Sequence, residues 1–113
     1  MPRINFIELP TRDLPATRAF YAAVFAMQMT PFGPTYACTL TGDVDLGLQA
    51  DPTEATRAPL PVIQVDDLEA TLAAVVATGA RIIVPIFSFP GGRRFHFVDP
   101  SGNELAAMQA DGA

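Results

Sequence analysis

The side chains able to move a proton or hold a cation are few in this chain. His96 is the single histidine and Cys38 the single cysteine of 113 residues. Two carboxylates stand in strand-like surroundings, Glu8 in "INFIELP" and Glu104 in "SGNELAAMQ", and Tyr36 in "PTYACTL" adds a phenol. Imidazole exchanges a proton near neutral pH, and a carboxylate facing a pocket can act as base or hold a cationic guest. Each has a plainer reading beside the chemical one. Glu104 is a turn-bonded or solvated carboxylate, or it faces a ligand. Glu8 has a pocket role, or it pairs with an arginine. His96 is a structural strand residue, or it binds and transfers protons together with Tyr36. Cys38, between Ala37 and Thr39, reads as a packed strand residue. One His and one Cys in such different settings make no Ser-His-Asp or Cys-His arrangement. "PGGRR" has neither the spacing nor the lysine of a phosphate loop.

The elements that position these groups follow from local patterns. "INFIELP" alternates as a strand, with Asn5, Ile7 and Leu9 on one face and Phe6 and Glu8 on the other. Asp13 caps the helix "ATRAFYAAVFAM", with Pro15 in its tolerated first turn. Strands are expected over Thr30 to Phe32, Pro34 to Leu40 and "VDLGLQ". After the polar, proline-bearing "ADPTEATRAP" come the strand "LPVIQV", a cap at Asp66 or Asp67, and the helix "LEATLAAVVAT" stopped by Gly79. "ARIIVPIF" is a strand, "SFPGG" a loop, and "FHFVDPSGNELAAMQ" two strands about a tight turn. The order β-α-β-β-β thus occurs twice. A shift of 54 places Asp13-Leu14-Pro15-Ala16-Thr17 on Asp67-Leu68-Glu69-Ala70-Thr71. A shift of 60 later places Gly42 on Gly102, Gln49 on Gln109, and Tyr36 opposite His96. Internal duplication explains both.

Composition narrows the classes. Half the residues are hydrophobic, enough for a real core in a single domain. A net charge of −5, with seven arginines and no lysine, argues against nucleic acid as partner and mildly favours neutral or cationic small molecules. No stretch reaches the roughly 18 to 20 apolar residues of a membrane span. "MPRINFIELP" does not read as a signal peptide. A lone cysteine fits a reducing cytoplasm.

Two βαβββ modules, with Asp13, Leu14, Phe20 and Tyr21 in the first and the turn Asp99-Pro100, Gly102-Asn103 in the second, resemble the vicinal oxygen chelate superfamily. That superfamily includes glyoxalase, bleomycin-resistance and extradiol dioxygenase proteins. The resemblance spans about residues 4 to 109 and implies an α+β fold. The modules, about 3–50 and 59–110 of one domain, would form a curved mixed sheet with a concave cup and helices on its convex side. It also implies a homodimer and a site in the cup.

Metal-dependent members carry His, Glu or Gln seven residues before the capping Asp and four after the turn glycine. Here those places hold Phe6, Leu60, Leu46 and Ala106, all without a donor atom. The expectation is therefore no metal and no cofactor. The cup-facing candidates are Phe6, Glu8, Tyr36, Leu46, Leu60, Gln64, Phe87, Phe89, His96, Glu104 and Ala106. Phe87 and Phe89 lie in a segment without counterpart in the first module, and contact a ligand or close the core or a dimer interface. Arg93 and Arg94 point to solvent from a hairpin end, or one clamps an anion. The preferred reading is a metal-independent protein that binds a drug-like or amphipathic cationic molecule. The alternatives are an enzyme of lyase, isomerase or dioxygenase type with a non-standard site, and a structural or regulatory partner.

Overall fold

A computed structural model describes residues 2–112. Each βαβββ module of the α+β fold has one helix and a four-stranded mixed sheet. The chain divides into two compact units, one of residues 6–60, the other of the residues up to Asn5 together with those from Pro61 on.

In the first module β1 (Arg3–Pro10), whose residues 3–5 fall in the other compact unit, is followed by α1 (Leu14–Phe25), then β2 (Thr30–Pro31), β3 (Tyr36–Cys38) and β4 (Asp45–Gln49). The order across the sheet is β2-β3-β4-β1, with β1 parallel to β4 and the other pairs antiparallel. The Asp13 carboxylate accepts the Ala16 N–H at 3.0 Å and starts α1, so the expected cap is present. The helix ends at Ala26 in the left-handed region, φ 55°. Leu14, Met29, Ala37 and Leu48 form the buried core under α1, with Leu9, Tyr21, Leu46 and Ala50 packed against it. The strands expected over Thr30 to Phe32 and Pro34 to Leu40 are shorter than the pattern suggested, two and three residues. Gly33 and Pro34 explain this, the glycine at φ 83° and the proline without a ladder donor.

The second unit repeats the plan with β5 (Leu60–Gln64), α2 (Leu68–Ala77), β6 (Ile82–Phe89), β7 (Gly92–Val98) and β8 (Glu104–Ala110). Its order is β5-β8-β7-β6, again with one parallel pair, β5 and β8. Of the two candidate caps, Asp67 is the one used, accepting from Ala70 N at 3.0 Å. Val65, Leu68, Phe95 and Ala107 make the core under α2, with Ile63, Leu72, Val75, Ile82, Ile86 and Phe97 around it. The expected "SFPGG" loop is instead strand up to Phe89 and a two-residue turn, because Phe89 pairs directly with Gly92. Pro90 and Gly91, the latter at φ 108°, are the residues that such a turn requires. Gly92 allows a close approach, since a Cβ there would lie 2.4 Å from the Gln109 carbonyl oxygen.

Strand alternation gives each sheet one face against its helix and one that carries no helix of its own unit. The chemistry-bearing side chains lie on the second, helix-free face.

Candidate functional site

In the first unit Glu8 pairs in register with Gly47, and Tyr36 with Gln49, which turns Phe6, Glu8, Tyr36, Cys38 and Gly47 to the helix-free face. Glu8 is 1% exposed and accepts the Tyr36 hydroxyl at 3.3 Å. A buried carboxylate needs such donors, because its desolvation is otherwise costly. The Phe6 ring and the Tyr36 hydroxyl close over Gly47: a Cβ at that position would lie 2.5 Å from Phe6 Cζ and 2.6 Å from Tyr36 Oη. Cys38, opposite Gly47, is buried; burial and then the nearby Asp45 carboxylate push its thiol up from the ordinary range.

Leu46 is not on this face. It packs into the core under α1, so its place among the helix-free candidates is corrected. The cause is a register change. Val62 and Ala106 pair in the second unit as Glu8 and Gly47 do in the first. The counterpart of Ala106 is therefore Gly47, and the late shift between modules is 59 in the last strand. The turn before β4 absorbs the difference: Asp45 accepts from Thr39 Oγ1, Thr41 N, Thr41 Oγ1 and Gly42 N at 2.6 to 3.1 Å. Partial burial raises the Asp45 carboxyl, but these hydrogen bonds outweigh it and hold it below its usual range. In the same way His96, opposite Ala106, corresponds to Cys38, and Tyr36 corresponds to Arg94, although Tyr36 and His96 both lie on helix-free faces. Gln49 and Gln109 also part. Gln49 accepts from Asp51 N, whereas Gln109 faces α2 and accepts from Leu68 N at 2.8 Å.

In the second unit β7 and β8 place His96 opposite Ala106 and Val98 opposite Glu104. His96 Nδ1 lies 2.7 Å from Glu104 Oε2, and the imidazole is 4% exposed. The expected turn-bonded or ligand-facing carboxylate is thus the partner of the histidine, a pairing that the eight-residue spacing across a turn could have signalled. The turn's own bonds come from Asp99, which accepts from Ser101 N, Asn103 N and Asn103 Nδ2. The Asn103 bonds hold the Asp99 carboxyl below its usual range.

Phe87, opposite Arg94, packs on the His96 ring with centroids 5.9 Å apart. The Arg94 guanidinium stacks on Phe87 and Phe89 at 5.3 and 5.4 Å. Stacking on aromatic rings is neither of the two expectations for the tip arginines, solvent exposure or an anion clamp, because it depends on which residues oppose Arg94 across the strands. Arg93 faces the other way and pairs with Glu69 of α2 at 2.5 Å, an exposed ion pair. Gln64 Oε1 accepts from Asn5 Nδ2 at 3.4 Å, and the same amide nitrogen lies 3.6 Å from Met108 Sδ. Leu60 opens β5 fully buried, two residues before Val62 on the same strand face. A surface depression of about 390 Å³ is lined by residues 78–81 and 98–100, at the end of β7.

The donor chemistry does not fit a divalent ion at the places where relatives with this plan bind one. Phe6, Leu60 and Ala106 offer no O, N or S atom, and Gly47 has no side chain and no space for one. Among the described residues no three His, Cys, Asp or Glu side chains converge as a metal-binding group.

Comparison with known proteins agrees with this architecture. CFP32 of Mycobacterium tuberculosis, provisionally named a glyoxylase, is 28% identical over 118 aligned positions, covering 95% of this chain and 45% of that protein. The chain therefore spans less than half the length of the curated relatives it matches. The solved Mn(II)-bound glyoxalase from Novosphingobium aromaticivorans superposes with a TM-score of 0.71 at 19% identity, over 96% of this chain and 40% of that one. Methylmalonyl-CoA epimerase from Mycobacterium tuberculosis superposes with a TM-score of 0.74 at 15% identity, over 95% and 87%. At these identities the two structures share the fold. Residues 3–107 match the model of one family, and on that match the chain belongs to the Glyoxalase/Bleomycin resistance protein/Dioxygenase superfamily.

Proposed function

We propose that this protein binds a small organic molecule on its helix-free sheet faces without a divalent metal, and that the guest is drug-like or amphipathic and cationic. One observation carries the reading. The four places that hold metal donors in metal-dependent relatives present Phe6, Gly47, Leu60 and Ala106, and the Phe6 ring fills the space above Gly47. Each face by itself offers apolar contact, with Glu8 and Tyr36 in the first unit and Gln64 and Glu104 in the second as the polar points that orient a guest. The net charge of −5 adds a weak preference for cations. We place the protein in the cytoplasm as a homodimer, on its lone buried thiol and the exposed Phe20, Val24 and Phe25 of α1. No helix among the described residues is long and apolar enough to cross a membrane.

Protein purified without chelator or added metal is expected to carry less than about 0.1 equivalent of zinc, nickel, iron or manganese, since closed sites need three to four donors. A quaternary-ammonium aromatic at about 100 times its Kd is expected to stabilise the fold by about 2.7 kcal/mol in thermal unfolding. Near-stoichiometric metal that is lost in Glu8→Ala or Glu104→Ala would overturn the metal-free reading. A second reading, an enzyme of lyase or isomerase type, is favoured by the His96–Glu104 pair.

A further inference from the structure

We propose that His96 and Glu104 form a proton-accepting dyad. Nε2 of His96 is the atom that takes the proton of a weakly acidic hydroxyl, a phenol or enol, on a guest at the helix-free face of the second unit. This rests on the metal-free reading above, because it assigns to side chains the charge handling that a bound cation would otherwise supply.

For a neutral imidazole the contact fixes the tautomer. A carboxylate only accepts hydrogen bonds, so at 2.7 Å from Glu104 Oε2 the Nδ1 atom of neutral His96 is the donor. Nε2 then keeps its lone pair. Nε2 is buried and has no hydrogen-bond partner among the described residues. A buried polar atom left unbonded is costly, and such atoms concentrate where a ligand or a reaction completes them. Glu104 is a positioning residue, holding the ring and stabilising the imidazolium once it forms.

The surroundings select the guest. His96 stands opposite Ala106, where the side chain is only a methyl, and Phe87 lies against the imidazole. The β6 ladder shifts register on either side of Val84 and before Phe87, an irregularity of the kind that re-aims side chains beside sites. Apolar and aromatic walls suit a flat or apolar frame, and the unbonded Nε2 of His96 is an acceptor that calls for an O–H. A carboxylate guest has no hydrogen to offer Nε2 and meets the Glu104 charge. In the proposed step the guest's O–H bond breaks, its electron pair stays on oxygen as phenolate or enolate, and the proton forms the Nε2–H bond. Reprotonation from Nε2 returns the dyad to its starting state, with no change of oxidation state.

Because the chain has one histidine, nitrogen-labelled protein gives a single imidazole in long-range proton–nitrogen spectra. The expected wild-type signature is a protonated Nδ1 and a bare Nε2, and Glu104→Gln should redistribute the proton between the two nitrogens while the protein stays folded. The probe is para-nitrophenol, whose visible band separates phenol from phenolate. Wild-type protein should ionise the bound probe about tenfold more than free probe at the same pH, with protonation of Nε2. Glu104→Gln should reduce this gain and His96→Asn abolish it. A wild-type imidazole protonated on Nε2 alone, or a bound-probe spectrum the same in wild type and His96→Asn, would overturn the proposal. If His96→Asn does not fold, the wild-type tautomer and the Glu104→Gln response decide. Stoichiometric metal would defeat the metal-free reading instead, and the tautomer result would still be legible on its own.

Discussion

The two modules share one chain plan and spend it differently. In the first, β2 and β3 are two and three residues long, and Phe6 and Tyr36 close over Gly47. In the second, β6 and β7 are eight and seven residues long and carry Phe87, Phe89, Arg94 and His96 on the helix-free face. Position Gly47 is matched by Ala106, and Cys38 by His96. The helix-side cores differ in the same complementary way. Phe95 stands opposite Ala107 in the second unit, where Ala37 stands opposite Leu48 in the first. Large and small have changed strands, so each pair keeps one large and one small side chain beneath its helix. The repeated fold therefore tolerates inversion of its core pairs, and it places its single histidine, paired with Glu104, in the module with the longer hairpin.

The largest expected effect falls on that core inversion. Phe95→Ala, at a fully buried ring, should cost about 3–5 kcal/mol, and Leu48→Ala about 2–5 kcal/mol. Denaturant unfolding measures both. Equal losses would mean that each module's core relies equally on its one large strand residue, and a negligible loss for Leu48→Ala would break the comparison.

The next contrast is between Gly47 and Ala106, which take the same place in the two modules. Gly47→Ala should cost about 1–3 kcal/mol, because the new methyl meets the Phe6 ring and the Tyr36 hydroxyl. Ala106→Gly should cost only about 0.5–1 kcal/mol, through strand entropy. Comparable unfolding midpoints for the two variants would show that the first site is not closed by Phe6.

The smallest effect concerns pH. The folded Asp45 carboxyl is held below its usual range by the Thr41, Thr39 and Gly42 bonds, despite the opposing effect of burial. Its contribution to stability is therefore present above the unfolded carboxyl range and is lost as pH falls through the lower folded value. Asp45→Asn should lower stability at neutral pH and flatten the acid limb of the stability profile, read by thermal unfolding between neutral and acid pH. An acid limb unchanged from wild type would show that the turn before β4 does not depend on that charge.

Much of this was legible in the sequence because it is local. Capping by Asp13 and Asp67, the alternation of Phe6 and Glu8 against Ile7 and Leu9, and the repeated β-α-β-β-β order depend on periodicity and short-range hydrogen bonds. That Phe6, Leu60 and Ala106 carry no donor atom is plain from their types, since an apolar side chain has no lone pair wherever it points. The register of β4 could not. Counting from the turn glycine selected Leu46, and only the Asp45-bonded turn, one residue tighter than its counterpart, turned Leu46 into the core and put Gly47 in its place. The pairing of His96 with Glu104 and the stacking of Arg94 on Phe87 and Phe89 likewise depend on which residues oppose one another across strands. Because side chains alternate with a period of two, one residue of register decides the face on which each stands, and that is fixed by turn geometry and cross-strand pairing in three dimensions.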